Sequence, residues 1–516
     1  MRKQNHRYLW LKRSAAALVT VLFYAVTITA QAVGPTARTA QHFDSIRSSP
    51  PRLFAFLLLM PKGADLHSHL SGAIYAESYI QWAAAAGDCV NTTTLSASLP
   101  PCAPGQVPAA NALTNSVLFQ QIIDAWSMRH WQLSGDSGHD HFFNTFGKFG
   151  VATYNQNGKM LAEAVTRAAH GNVLYLELML TPDGTATGVL SSQIGNTVGW
   201  DGNPSSTLSK LKANGIDAAV PLAIKNLNDA EAEKDGLLKC GTPQAEPGCQ
   251  VSIRYIAQVA RGSALGPVFA QMVTGFALAN DPNSKVVALN LVQAEDGAAS
   301  MQNFSLHMQM LKFLRPMYPN AHLSLHAGEL VPGIVPPEGL SFHIRDSVTT
   351  AQANRIGHGV DIMHEKGAVA LMEQMAHNNV MVEICLSSND SILGVSGPQH
   401  PLATYLKYGV PVALATDDEG VSRSEISREY LRAVQDQGLG YLQLKMMARN
   451  SLQYSFISGA GLWSDARRFV PVSQCAPDVA AMKLSSNTCQ QYVKSSEKAR
   501  LQWQLEEEFR KFESGW

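Results

Sequence analysis

The chain has 516 residues, with 46% apolar and 16% charged side chains and a formal net charge of −1. This composition supplies a sizeable core and excludes a disordered chain. The near-neutral charge excludes the basic footprint of a nucleic-acid binder, so no nucleic-acid partner is expected.

In chain order, the first feature is a leader. Arg2, Lys3, Arg7, Lys12 and Arg13 precede the apolar run SAAALVTVLFYAVTITA (14–30), and Ala30-Gln31-Ala32 follows as a small-x-small site. This pattern predicts a secretory signal peptide over 1–32, cleaved after Ala32. An uncleaved anchor is the alternative, but the run is short for a span. The mature protein is expected to be secreted or periplasmic, with no stable membrane anchor. Residues 33–60 form an arm ending in RLFAFLLLM, a run that is expected to pack as a helix.

From residue 61 to about 430, eight short apolar runs alternate with helix-like stretches. The runs are 63–70, 173–180, 251–260, 286–295, 322–329, 354–361, 380–389 and 410–418. Eight buried strands joined by helices predict an α/β fold, a (β/α)8 TIM-type barrel with loop insertions. The alternative is an open doubly wound sheet. No G-x-G-x-x-G follows a strand, which removes its dinucleotide-binding version. Residues 431–516 read as a C-terminal helical extension.

Six of the seven cysteines fall into close pairs in loop-like segments: Cys89 with Cys102, Cys240 with Cys249, and Cys475 with Cys489. In an exported chain these spacings point to local disulfides, the first tying an insertion near 87–115; zinc knuckles are the alternative. Cys385, in MVEICL, is expected to be a buried free thiol.

Polar residues collect at the C-terminal ends of the runs. His67 and His69 close the first, His326 and Glu329 the fifth, His358 the sixth, and Asp417 and Asp418 the eighth. A buried strand has no packing reason to end this way, because such groups cost free energy unless paired or metal-bound. Barrel active sites lie at that face. His67 and His69, two apart on a strand, point the same way. With His326 and Asp417 they make three imidazoles and a carboxylate, a set that suits one divalent ion, zinc above others. Such an ion lowers the pKa of a bound water. Glu329 is placed to shuttle protons, His358 to orient or deprotonate the water, and Asp418 to hold a substrate. Each residue has a bland alternative taken singly: a core histidine at 358, or helix-start acids at 417–419. Four separate strand ends carrying these groups together argue against coincidence. A second His-x-His, His139 and His141, has no apolar run before it and reads as structural or surface-exposed.

The motifs LHSHLSGA (66–73), SLHAGE (324–329), RIGHG (355–359), CLSSN (385–389) and LATDD (414–418), in this order, resemble the adenosine deaminase family of the metal-dependent amidohydrolases. MPKG (60–63), the leader and the cysteine-tied insertion look most like its secreted, growth-factor-type branch. The resemblance implies zinc-dependent hydrolysis of a purine nucleoside, adenosine, to inosine and ammonia. It implies one Zn2+ on His67, His69, His326 and Asp417. Glu329 becomes the proton donor to the ring, His358 the residue that activates the attacking hydroxide, and Asp418 a partner of the five-membered ring's nitrogen. Three positions depart from the family pattern. Ser71 stands where an acid often touches the ribose, Gln293 where a glycine contacts the purine, and Met179 where an arginine follows Y-x-E. Ser71 and Gln293 therefore become candidate substrate-binding residues, and they motivate an alternative: a deaminase of another amino-purine or a modified adenosine. A non-catalytic adenosine-binding protein is a further alternative, though a binder has little need of Glu329 with His358.

Overall fold

The computed structural model describes residues 34–185 and 187–516; the leader read at 1–32 lies outside the described residues. Eight parallel strands run β1 (Gly63–His69), β2 (Val173–Leu180), β3 (Ser252–Ala260), β4 (Val286–Val292), β5 (His322–Ala327), β6 (Arg355–His358), β7 (Met381–Ile384) and β8 (Val412–Leu414), each beside its neighbour in sequence. The barrel closes through Asp417, whose N–H donates to the His67 carbonyl at 2.8 Å and whose own carbonyl accepts the His69 N–H at 3.2 Å. The strands are nearly continuous apolar runs because both faces are covered, by the barrel interior and by the outer helices. All eight residues of β2 and all four of β6 and of β7 are buried.

Several strands stop sooner than the apolar runs suggest. β5 ends at Ala327, so Glu329 lies past the strand, and β8 ends at Leu414, so Asp417 and Asp418 do too. CLSSN is no strand extension: a helix spans Leu386–Leu393. The physical reason lies partly in left-handed backbone at these ends, with φ of +76° at Gly328, +78° at Gln293, +67° at His358 and +58° at Asp417. Extended pairing cannot continue through such residues, and the three that are not glycine carry a strain of about 1–3 kcal/mol each, a feature that clusters at functional sites.

All three cysteine pairs form disulfides, Cys89–Cys102, Cys240–Cys249 and Cys475–Cys489, and Cys385 is free and buried. The first ties a small antiparallel sheet of Cys89–Asn91, Ala97–Ser98 and Gln106–Pro108. The arm forms two helices, Pro35–Ile46 and Pro50–Leu59. Phe56 of the second packs edge-on against Tyr441 and Phe512 of the C-terminal helices, burying the run's apolar face. Among the described residues no helix is long and apolar enough to cross a membrane.

Lys62, just before β1, is fully buried and donates to the carbonyls of Leu57, Met60 and Gly171 at 2.7, 2.9 and 2.9 Å. It joins the arm helix to the loop before β2. Lys62→Met takes the charged donor from three carbonyls; that of Leu57 keeps the Met60 N–H, while those of Met60 and Gly171 lose the bond, and an unpaired buried acceptor costs about 1–3 kcal/mol. The expected result is a loss of about 2 kcal/mol or more, read as a lower urea midpoint at unchanged slope.

Candidate active site

The strand order brings the four proposed ligands to one point at the C-terminal mouth of the barrel. His67 and His69 sit two apart at the end of β1, His326 comes from β5 and Asp417 follows β8. The His326 Nε2 lies 3.2 Å from that of His67 and 3.3 Å from that of His69, and both β1 nitrogens lie 3.4 Å from Asp417 Oδ1. That oxygen is buried and has no hydrogen-bond partner among the described residues. Four ligands at 2.0–2.1 Å around a tetrahedral ion are separated by about 3.4 Å, so the donor spacing fits such an ion.

The outer partners aim the rings. Glu383 accepts from His67 Nδ1 at 2.6 Å, Asn290 Oδ1 accepts from His326 Nδ1 at 2.8 Å, and the Gln258 amide lies 2.8 Å from His69 Nδ1. With Nδ1–H engaged at His67 and His326, their Nε2 lone pairs face each other, which is repulsive unless a cation lies between them. The field agrees: burial opposes an imidazolium, yet Asp417 and Glu383 raise His67 to about 10. Burial also opposes charge on Glu383, but Arg355 and His67 hold it down at about 2. Arg355 is itself fixed between Glu383 and Glu177, both at 2.5 Å. Ser388 donates to Asp417 Oδ2 at 2.7 Å and leaves Oδ1 facing the histidines.

Glu329 and His358 border this cluster, with His358 Nε2 3.7 Å from Glu329 Oε1. Burial, then the charges of Asp417 and Glu295, push the Glu329 carboxyl up to about 8. Burial lowers His358 to about 3, so its imidazole is neutral. Asp418 is pushed well above the usual carboxylate range by burial and by the adjacent Asp417. Gly72 makes room for it: a Cβ there would sit 1.5 Å from Asp418 Oδ1. Glu295 fixes the loop that carries Glu329 by accepting the Gly328 and Glu329 N–H groups, each at 3.0 Å.

A cavity of about 410 Å³ opens onto these groups. Ser71 and Gln293 line it together with His69, His326, Glu329, Asp417 and Asp418, and Phe142, Phe143, Phe146 and Val292 form an apolar wall. Met179 does not line it: it is buried, and its sulfur accepts from Asn290 at 3.3 Å. His139 and His141 stay apart from the ligand cluster. His139 bridges Asp140 and Asp296, and His141 Nε2 meets the Asp124 and Ser127 carbonyls.

Glu383, Asn290, Gln258, Arg355 and Glu295 escaped the sequence reading. A signal existed for three of them: Asn290, Gln258 and Glu383 each interrupt an otherwise apolar buried run, where an amide or acid demands a partner.

The chain is also similar to known proteins. The adenosine deaminase family profile matches residues 140–461. The adenosine deaminase of Shewanella loihica is 40% identical over 107 residues, 20% of this chain and 31% of that protein. The adenosine deaminase of Serratia proteamaculans is 33% identical over 168 residues, 32% of this chain and 47% of that protein. The aligned segments thus span less than half the length of these curated relatives. Among solved structures, the N6-methyl-AMP deaminase of Arabidopsis thaliana is 18% identical with a TM-score of 0.51, covering 78% of this chain and 94% of that one, and shares the fold. With the family profile matched over most of the barrel, this chain belongs to the adenosine deaminase family.

Proposed function

We propose that this protein is a zinc-dependent adenosine deaminase, converting adenosine and water to inosine and ammonia. The observation that carries the reading is the convergence of His67, His69, His326 and Asp417 on one point, beside Glu329, His358 and Asp418, with five of these seven residues lining one cavity. A divalent ion held by those four residues supplies Lewis acidity, making water nucleophilic near neutral pH.

The chain's own residues do the rest. Glu329, buried and with a raised pKa, holds a proton for the purine N1 as the water oxygen bonds to C6. The C6–N6 bond then breaks, and the departing nitrogen takes the hydroxyl proton and leaves as ammonia. A proton from the attacking water restores the Glu329 carboxyl by the end of the cycle. His358 orients the attacking water, and Asp418, with its raised pKa, holds a proton to offer a nitrogen of the five-membered ring. The phenylalanine wall takes the flat faces of the base and excludes water.

Among the described residues, no lysine or arginine lines the cavity. This favours an uncharged nucleoside over a nucleotide, whose phosphate calls for cationic or amide donors. Turnover of AMP is expected to fall at least about 100-fold below adenosine in kcat/KM, about 2.7 kcal/mol, measured by ammonia release. A second reading, another amino-purine or a modified adenosine, is favoured by Ser71 and Gln293 in the lining.

Export is part of the proposal, as is membership of the secreted branch: three disulfides support folding in an oxidising compartment. The experiment that tests the function is the ultraviolet conversion of adenosine to inosine by the zinc-loaded chain. No conversion by folded, metal-replete protein overturns adenosine and sends the search to the second reading.

A further inference from the structure

His358 faces the reacting centre with Nε2, and its other nitrogen is held by a chain of three hydrogen bonds running outward. Asn389 Nδ2 lies 2.9 Å from His358 Nδ1. Asn389 Oδ1 lies 3.1 Å from His400 Nε2, and the Leu402 backbone N–H donates to His400 Nδ1 at 3.2 Å. His358, Asn389, His400 and Leu402 are all buried.

One end of this chain has a fixed polarity, because a backbone N–H is always a donor. His400 Nδ1 must therefore be a bare acceptor, which makes His400 neutral with its hydrogen on Nε2. That hydrogen goes to Asn389 Oδ1, which orients the amide with its NH2 toward His358. His358 Nδ1 is then an acceptor too. A neutral imidazole has one N–H, so it must lie on Nε2, pointing at the site. Ring tautomers and amide orientations are ordinarily ambiguous; here the peptide N–H of Leu402 settles each in turn.

We infer that His400 and Asn389 are positioning residues that hold His358 as the Nε2–H tautomer, so that His358 presents a hydrogen-bond donor to the attacking oxygen. A donor holds that oxygen with a lone pair directed at the purine carbon, and it has no lone pair at Nε2 with which to take a proton. The proton from the attacking water then falls to the site's carboxylates. The nearest in line with His358 is Glu329, 3.7 Å from Nε2. The kinetic consequence rests on the adenosine reading; the tautomer does not.

The test is nitrogen NMR of the zinc-loaded full chain labelled with 15N-histidine, with the His358 signals assigned by their loss in His358→Gln. The expected spectrum places the N–H on Nε2 of His358 and leaves Nδ1 bare. In His400→Phe the Asn389 amide loses its orienting donor. His358 is expected to show both tautomers, kcat on adenosine to fall about tenfold, KM to stay within about twofold, and zinc content to remain unchanged. His400→Gln, whose side-chain NH2 reaches Asn389 Oδ1, should restore a single tautomer and most of kcat. An Nδ1–H tautomer in the unmodified protein overturns the proposal, as does a His400→Phe variant with wild-type tautomer and kcat. If His400→Phe does not fold, the spectrum of the unmodified protein decides. Absence of adenosine turnover in the unmodified protein removes that substrate and leaves the tautomer result standing.

Discussion

Replacing Glu329 with glutamine is expected to lower kcat on adenosine by about 10²–10⁴-fold while KM and zinc content stay near wild type. Glutamine has almost the shape of the carboxyl group, and its NH2 still donates a hydrogen bond toward N1. It cannot release a proton there. Substrate binding is thus preserved, and the loss falls on the step in which charge develops on the ring. The backbone of residue 329 is held by Glu295 through N–H groups that the substitution leaves untouched, so the loop stays in place. Initial rates by absorbance, with metal content determined on the same samples, check the result. Activity within tenfold of wild type would remove Glu329 from its role as the ring's proton donor.

On the proposed reading, His326→Ala is expected to abolish turnover by removing a ligand of the metal. His326 is the residue from β5 that faces both β1 histidines, at 3.2 and 3.3 Å. Loss of an outer partner typically weakens metal binding about 10–100-fold, and loss of a ligand itself should exceed about 100-fold on that scale. The purified variant should carry little zinc by elemental analysis and show no measurable deamination. Its barrel should persist, because β5 keeps its backbone pairs to β4 and β6. Added zinc at high concentration should restore binding before it restores rate, since His326 also shapes the cavity lining. A variant that keeps one zinc per chain and wild-type rate would show that the four residues are not the metal site.

The placement of Glu383 shows where reading along the chain runs short. MVEICL reads as a buried strand, and it is one, with Glu383 at its third position. The acid is a visible irregularity, but its partner His67 lies 316 residues away. Nothing local specifies that β1 and β7 put these groups 2.6 Å apart; the barrel's closure does. Arg355 is similar. As part of RIGHG it reads as a motif residue, yet its role as the bridge between Glu177 and Glu383 depends on three strands meeting in the interior. Glu295 is illegible for the same reason: its partners are the Gly328 and Glu329 N–H groups and the His343 ring, all distant in the chain.

The apolar wall is a further case. Helix Gly138–Phe149 carries Phe142, Phe143 and Phe146. In sequence the segment reads only as the surroundings of the second His-x-His pair, His139 and His141. Folded, it leans over the barrel mouth, with His139 bonded to Asp296 at the end of the β4 loop.

The sequence by itself determined the eight strands and their order, the local cysteine pairs, and the residue types at the barrel mouth. It could do so because strand burial, loop closure and ligand chemistry are written in short-range patterns: apolar runs, close cysteine spacings, and polar residues where an apolar run ends. Only the tertiary structure decided where each strand stops, how the histidine rings are aimed and which groups line the cavity. Those depend on left-handed backbone at the strand ends and on hydrogen bonds between residues hundreds of positions apart, and such bonds exist only once the barrel has closed.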